Sequence, residues 1–448
     1  MRRRSRAGPA GCGGVRPSAV ALAGIMALVA AGVGGVGASA QEVALPPAGG
    51  GGSLPTSAAL RAADSLVASW VAEERIPGAV LLVARDGERL LHRAYGWAQL
   101  YEYGAGQYTD AEGIVRLAHP RPMTTETVFD LASVTKVMAT TLAVMLLVDE
   151  GVLDVDAPVR RYLPDFSGGG KEEITLRHLL THRAGLYPWQ PTYYHASNAE
   201  EVYRYILRLP LRWSVGAERH YSDLGFMLLG RVVEKAAGMP LDYVLADRLY
   251  RALGLHHTGF RPRAGAMSAA RPADGGFAAT SHGNPFEYRM VHDSTFGYRY
   301  TGDPDRWNGW RRRTLAGEVN DGNAYHAFGG VAGHAGLFST AADLERLLRL
   351  MVDLGEVDGR RILRRQTVEA FLTDQGDHQA LGWQLPGYAP PGSFGHTGFT
   401  GTFVLGVPSR KMVVILLTNR QNLGVNAETR YPDVGPLQEG VTRLLLNP

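Results

Sequence analysis

The stretch Phe129-Asp-Leu-Ala-Ser-Val-Thr-Lys136 precedes an apolar run that continues with helical periodicity to Leu147. It places Ser133 near the start of a predicted helix and Lys136 three residues further on, so both side chains lie on one face. A serine becomes a nucleophile when a base takes its proton, and a lysine can do so when burial and neighbouring charges lower its pKa. Because a serine at a helix start is often only a cap, the motif needs support elsewhere in the chain.

A second motif, Tyr221-Ser222-Asp223, leads into an apolar helical run from Gly225 to Ala237. A phenol beside a lysine can carry a proton between the nucleophile and the leaving group. An aromatic residue at a junction between a loop and a helix can equally pack on the core. The motif therefore gains meaning only together with the first.

A third motif, His396-Thr397-Gly398, lies just before a predicted strand from Gly401 to Val407. Here a cation and a hydroxyl would flank a cleft, and Gly398 would let a substrate approach the strand backbone closely. Each motif is weak alone. Their order, and their places at the ends of predicted elements, make the combination much more specific.

With these motifs the chain resembles the serine β-lactamase and penicillin-recognising DD-peptidase superfamily, in the branch of class C β-lactamases, DD-carboxypeptidases and family VIII esterases. The resemblance extends from about Ser57 to the C-terminus. Three further stretches are similar to signatures of this branch: ITLRHLLTHRAGL at 174–186, GGVAGHAGLFST at 329–340 and LGW at 381–383.

The resemblance implies a β-lactamase/transpeptidase-like fold and catalysis through an acyl-enzyme. It assigns Ser133 as the acylated nucleophile, with Lys136 and Tyr221 as the general acid/base pair. Backbone N–H groups of Ser133 and Phe399 would form the oxyanion hole, which needs donors aimed at the charged intermediate. The substrate-binding candidates are Asp223, His396, Thr397, Gly398 and Phe399.

Two residues depart from the family pattern. Asp223 stands where many members that act on β-lactams or peptides have asparagine, and a carboxylate cannot donate the hydrogen bond of an amide. His396 replaces the lysine of β-lactamases, as also happens in DD-peptidases and esterases. Since imidazole titrates near pH ~6.5, His396 is expected to be partly charged at neutral pH and to lose affinity for carboxylate substrates on deprotonation. Both changes weigh against an efficient β-lactamase.

The order of the remaining elements predicts an α/β (α+β) fold. Apolar spacing indicates a helix over Ser57–Glu74, two hairpins near opposite ends of the domain, and a C-terminal helix over Pro436–Leu446. This order predicts an antiparallel sheet built from both termini and flanked by helices, with an inserted, mostly helical lobe. The stretches 99–123 and 261–320 lack clear periodicity and are predicted to be long loops or lids. The predicted strands are 78–83, 89–95, 401–407 and 412–418.

The N-terminal region has the layout of a secretory signal. Residues 1–40 combine five arginines, a short apolar run and Ala38-Ser39-Ala40, which predicts cleavage after Ala40 and a periplasmic or secreted protein. Residues 41–56, rich in glycine and proline, are expected to form a flexible linker before one hydrolase domain at 57–448. No stable membrane insertion is expected after cleavage.

Composition excludes several other functions. The chain has 46 Lys and Arg against 43 Asp and Glu, and loss of the five signal arginines leaves it slightly acidic, so nucleic-acid binding is not expected. The single cysteine, Cys12, lies in the signal, which removes thiolate chemistry and disulfides from the mature protein. His178 and His182 are four residues apart without the glutamate of a metalloprotease motif, so a structural role is expected for both. We expect no metal and no cofactor.

The expected partner is a small acyl substrate, either a D-alanyl peptide, an ester or a β-lactam. A D-alanyl carboxypeptidase-like or carboxylesterase-like hydrolase is favoured, with a weak β-lactamase or a non-catalytic penicillin-binding sensor as alternatives. His334, among glycines, could line the cleft or fit a tight turn. Asn320, Asp321 and Asn323 could orient a cleft loop, but turn formation is favoured. The sequence leaves the oligomeric state open.

Overall fold

The computed structural model describes residues 55–104, 113–263 and 276–446. The predicted signal peptide and the linker up to residue 54 lie outside these residues. The strands are β1 (Gly78–Arg85), β2 (Glu88–Tyr103), β3 (Ile114–Pro122), β4 (Phe129–Asp130), β5 (Gly259–Phe260), β6 (Ala279–His282), β7 (Thr314–Ala316), β8 (Leu337–Ser339), β9 (Glu356–Val357), β10 (Arg360–Arg361), β11 (Phe394–Thr397), β12 (Thr402–Val407) and β13 (Met412–Thr418). The α-helices are α1 (Ser57–Ala72), α2 (Leu142–Asp149), α3 (Leu176–Leu180), α4 (Ala199–Arg208), α5 (Asp223–Ala237), α6 (Leu241–Leu245), α7 (Pro285–His292), α8 (Gly322–Phe328), α9 (Ala341–Val352), α10 (Arg365–Leu372) and α11 (Gly435–Leu446).

A six-stranded sheet is built from both ends of the described chain, in the order β11-β12-β13-β1-β2-β3. All five neighbouring pairs are antiparallel, so the predicted fold class is confirmed. In the first hairpin Asp86 and Gly87 have φ of 50° and 82°, which suits the twist of a tight hairpin turn. β1 lies in the middle of the sheet because β13 pairs with its other edge.

Strand periodicity separates two cores across this sheet. On β1, Ala79, Leu81 and Val83 pack in the cluster that contains residues of α1 and α11. Val80 and Leu82 pack in the larger cluster with the remaining helices. Both faces of β1 are therefore covered, and each fully buried leucine or valine contributes about 1.5–3 kcal/mol by leaving water.

The predicted loop at 99–123 is wrong for the residues the structure describes. β2 continues to Tyr103, and β3 pairs with it, with Tyr101 opposite Arg116. β3 is the outer strand, its residues are half-buried or exposed, and its pairing is interrupted by irregularities. Such an edge strand lacks the apolar alternation by which strands are recognised in a sequence.

The described part of the stretch 261–320 also contains regular structure, namely β6, α7 and β7. These short elements surround a buried arginine. Arg311 donates to Asn284 Oδ1 at 3.0 Å and to the carbonyls of Val319 and Asn320 at 2.6 and 2.5 Å. Because the segment is held by buried polar contacts, its sequence shows little hydrophobic periodicity.

The turn after β11 is clamped to the backbone that leads into Ser133. Thr400 Oγ1 donates to the carbonyl of Asp130 at 2.7 Å, and Thr402 Oγ1 donates to the carbonyl of Leu131 at 3.0 Å. A Cβ on Gly398 would overlap the same Leu131 carbonyl and Thr402 Oγ1. Gly398 is thus required for packing against this backbone, and its expected role in substrate approach stays a prediction.

Replacing Gly398 by alanine is expected to destabilise the protein by about 1–3 kcal/mol, because the backbone carbonyl cannot move away without shifting the turn before Ser133. Gly225→Ala is the matched control, since a Cβ there meets only ordinary contacts of 3.7–3.9 Å. Denaturant unfolding of both variants measures the difference. Equal stability of Gly398→Ala and the wild type would contradict the clamp.

Candidate active site

Ser133 follows a strained turn. Ala132, which is not glycine, has a φ of 45°, and its N–H donates to Asp130 Oδ1 at 2.9 Å. The other oxygen of Asp130 accepts the N–H of Asn320 at 2.6 Å. Positive φ at such a residue persists only where the surrounding structure enforces it, and such residues cluster at functional sites. The turn starts the helical segment that continues as a π-helical turn over Lys136–Thr141 and then as α2.

Lys136 is fully buried and is surrounded by three polar partners. Its Nζ donates to Ser133 Oγ at 3.0 Å and to the carbonyl of His334 at 3.0 Å, and it forms an ion pair with Asp223 Oδ1 at 2.7 Å. An ammonium group has three protons to donate. Three partners at these distances therefore match the protonated form of Lys136.

The charge state of Lys136 corrects the expectation of a lowered pKa. Burial does lower it, but the Asp223 carboxylate and the interaction with Tyr221 oppose burial, and the net pKa lies above its usual value. Lys136 is thus an ammonium in the resting site. Asp223 lies against the lysine, and its expected contact with substrate stays a prediction.

Tyr221 is oriented by a histidine that sequence reasoning left as structural. Ser222 caps α5 through the N–H of Gly225, and its own N–H donates to His182 Nδ1 at 3.1 Å. The buried His182 ring lies 4.3 Å from the Tyr221 ring, centroid to centroid. Burial and the Asp223 charge raise the pKa of Tyr221, despite the opposing effect of Lys136. The phenol is therefore neutral, and it interacts with Ser133 and Lys136.

The glycine-rich stretch 329–340 supplies the carbonyl of His334, which accepts a hydrogen bond from Lys136. His334 is buried, and its Nε2 lies 2.9 Å from Asp321 Oδ1. The same Asp321 oxygen accepts the N–H of Ala324 and so caps α8. His334 thus belongs to the site, and Asp321 does more than form a turn. Asn323, by contrast, accepts the N–H of Thr192 away from the lysine.

His396 lies on β11 next to the site but is not a cation. Its ring is buried, and Nδ1 lies 2.7 Å from the carbonyl of Thr397, so Nδ1 carries the proton it donates. Burial, followed by the charge of Lys136, lowers the pKa of His396 to about 3. The imidazole is therefore neutral near pH 7, which corrects the expectation of partial charge.

The backbone at Phe399 is fixed by side chains that follow β13 in the chain. Its carbonyl accepts hydrogen bonds from Arg420 Nη2 at 2.7 Å and from Gln421 Nε2 at 3.2 Å. The Phe399 ring packs edge-on against Phe286 with centroids 4.9 Å apart. The assignment of the N–H groups of Ser133 and Phe399 as the oxyanion hole remains a prediction. Thr397 pairs with Phe403 across β11 and β12.

Two further histidines, His178 and His257, have local partners. His178 completes a capping box with Thr175 at the start of α3, and the N–H of His257 donates to Asp343. Within the described ranges, no group of three or more His, Cys, Asp or Glu side chains could hold a metal ion. These contacts agree with the structural role expected for His178.

The antiparallel sheet, its flanking helices and the turn that brings Ser133 to Lys136 define a mixed α/β protein of the β-lactamase/transpeptidase type. Residues 63–436 match the family model described as β-lactamase, and the chain belongs to that family. The family relatives are hydrolases.

Curated relatives and a solved structure agree with this assignment. The chain is 34% identical over 384 residues to the N-acetylmuramyl-L-alanine amidase of Bacillus subtilis (strain 168), covering 80% of each protein. It is 30% identical over 394 residues to the "Putative D-alanyl-D-alanine carboxypeptidase" of Escherichia coli (strain K12), covering 82% of this chain and 84% of the relative. The structure of EstCE1, a hydrolase with promiscuous acyltransferase activity, shares the fold with a TM-score of 0.60 at 22% identity, over 86% of this chain and 98% of EstCE1.

A neutral His396 predicts that carboxylate and uncharged substrates have parallel pH profiles. With its pKa near 3, His396 stays uncharged between pH 5 and 8, so the ratio of kcat/KM for the two substrates is expected to be constant there. His396→Gln should leave that ratio constant as well. A ratio that falls through pH 6–7 in the wild type but not in His396→Gln would contradict the buried, neutral imidazole.

Proposed function

We propose that this chain is an exported serine hydrolase that cleaves amide bonds in small peptide substrates through an acyl-enzyme on Ser133. The observation that carries the proposal is the hydrogen bond from buried Lys136 to Ser133 Oγ, at a strained turn beside Tyr221. The amidase and carboxypeptidase named above support the substrate class, because both names describe cleavage of amide bonds. The signal-like residues 1–40 support export.

The ion pair supplies a route for the serine proton. Lys136 passes one proton to Asp223 and takes the Ser133 proton as Oγ attacks the substrate carbonyl, so the pair gains one proton in total. Attack forms the bond between Oγ and the carbonyl carbon, and the oxyanion is held by backbone N–H groups. Because the Asp223 carboxylate lies 2.7 Å from Lys136 and can take its proton, Lys136 does not have to be neutral in the resting site.

The same groups favour amides over esters. An amine leaving group must receive a proton as the C–N bond breaks, whereas an ester leaves more easily without one. Tyr221 is neutral and Lys136 is an ammonium, so both can donate toward the leaving nitrogen. As Lys136 gives a proton to the leaving nitrogen it regains one from Asp223, which restores the ion pair. Water then attacks the acyl-enzyme and gives one proton to the pair by the same route. When the bond between Oγ and the carbonyl carbon breaks, Lys136 returns that proton to Ser133 Oγ, Asp223 reprotonates Lys136, and the acid leaves.

Covalent labelling tests the nucleophile directly. Exposure to a fluorophosphonate is expected to add one phosphonyl group, located by peptide mass spectrometry on Ser133, with no adduct in Ser133→Ala. Turnover is then compared on a muramyl-L-alanine amide, a D-Ala-D-Ala peptide and a p-nitrophenyl ester. Absence of any adduct on Ser133 would favour a binding protein, and turnover of the ester alone would favour a carboxylesterase.

Asp223→Asn tests the proton route. Without the carboxylate, Lys136 must lose its proton to solvent before it can accept one from Ser133, so activity at pH 7 should fall at least tenfold and rise again with pH. The wild type, which keeps the carboxylate, should show no such rise of activity with pH. Charged or titratable groups that also act on or face Lys136 are Tyr221, His182, His396, Asp321 and His334.

The measurement is kcat/KM from pH 5 to 10 for both proteins, with fluorophosphonate labelling to count competent sites. Burial is the largest influence on Lys136 and lowers its pKa, so removal of the opposing carboxylate brings the amine into a measurable range. Higher activity of Asp223→Asn than wild type at pH 7 would mean that Asp223 only suppresses the base.

A further inference from the structure

The site lacks the cation expected from its third motif. His396 is neutral, and Lys136 is already engaged by Ser133, Asp223 and the His334 carbonyl. A substrate carboxylate that entered beside β11 would leave water, which costs free energy unless a positive group receives it. Another described side chain would have to supply that positive charge.

Arg219 lies two residues before Tyr221 and is anchored to the outer edge of the sheet. Its Nε donates to Gln379 Oε1 at 3.1 Å. The backbone of Gln379 pairs with that of Gln384, which in turn pairs with Gly395, the residue before His396. The Gln379 amide is itself fixed, because Nε2 donates to the carbonyls of Ala380 and Trp383 at 2.9 Å each. This chain of contacts holds Arg219 beside the strand that carries the third motif.

Arg219 has no carboxylate partner within the described ranges. The Gln379 bond is the only hydrogen bond of its side chain there, and no Asp or Glu oxygen lies within 4.0 Å. The nearby carboxylate that acts on it, Asp377, is paired with Arg183 instead. Burial lowers the pKa of Arg219, but a guanidinium stays protonated in proteins, so the charge persists.

The charge of Arg219 acts on the candidate site itself. Arg219 contributes to the lowered pKa values of His396 and His182, both of which belong to the site. A half-buried guanidinium with Nη1 and Nη2 unengaged is suited to a carboxylate, which it can bind through two parallel hydrogen bonds. An unpaired cation in such a place is stabilised when an anion arrives.

We propose that Arg219 binds a carboxylate of the substrate and so replaces the third-motif cation that His396 does not provide. This inference rests on the proposed function, since it names the substrate class of the same site: peptides and acyl compounds with a free carboxylate. Arg219 binds substrate and takes no part in bond making or breaking.

The test compares the rate of Ser133 acylation by benzylpenicillin with the rate for its methyl ester, which differs only in the charge of the carboxyl group. The quantity compared is the acylation rate with the acid divided by the rate with the ester. Intact-protein mass spectrometry measures both rates. Wild type should prefer the acid, and Arg219→Gln, which keeps a polar side chain, should lower the ratio about 10- to 100-fold. Arg219→Lys should retain part of the preference.

Arg212→Gln is the matched control, because Arg212 is an exposed arginine in the same segment and its guanidinium lies over the Trp213 ring. Its acid-to-ester ratio should equal that of the wild type. An unchanged ratio in Arg219→Gln would overturn the proposal, as would a wild type that shows no preference for the acid. Fluorophosphonate labelling separates the two proposals: labelled Ser133 without carboxylate preference defeats only the role of Arg219, and no labelling defeats the hydrolase.

Discussion

The buried ammonium of Lys136 is the interaction on which the rest of the site depends. A lysine with no exposed surface is strongly unfavourable unless each of its donors finds a partner. The three partners come from three separate parts of the chain: the turn at Ser133, the start of α5 at Asp223 and the glycine-rich segment at His334. The site therefore forms only when these three parts of the chain pack together.

The surrounding polar contacts can be understood as support for this arrangement. Asp130 fixes the strained turn, while Thr400 and Thr402 fasten the third motif to the backbone just before Ser133. Asp321 holds His334, and His182 holds the segment of Tyr221. Most of these groups are buried, so losing one would leave an unpaired partner in a low dielectric. The family's fold places the motifs near each other, and these bonds fix their geometry.

Much of the fold could be predicted from the sequence because its central strands are apolar and its hairpin turns are short. The pairing of Ser133 with Lys136 followed from helical spacing, and the start of α5 followed from the Tyr221 motif. Edge strand β3 and the elements around Arg311 could not be predicted, since their stability comes from pairing and from buried hydrogen bonds rather than from apolar periodicity. The residues that make these contacts are far apart in the sequence.

Charge states were the least predictable part of the site. The neutral state of His396 depends on burial by its surroundings, and the ammonium of Lys136 depends on a carboxylate 87 positions away in the chain. Residue type therefore gave the wrong charge for the imidazole, and the expected effect of burial gave the wrong charge for the lysine. Arg219 lies outside the motifs and signature stretches that resemble the family, and only its contacts reveal it.

The most direct test is the protonation state of Lys136 in the intact protein. The chain has only four lysines, Lys136, Lys171, Lys235 and Lys411, so selective isotope labelling of lysine gives few signals for NMR, and Lys136→Arg identifies the one of interest. We predict an ammonium signal for Lys136 from pH 6 through pH 9 in the wild type. In Asp223→Asn the pKa of Lys136 should be lower, so the ammonium signal should disappear at a lower pH than in the wild type. A neutral amine at pH 7 in the wild type would contradict it.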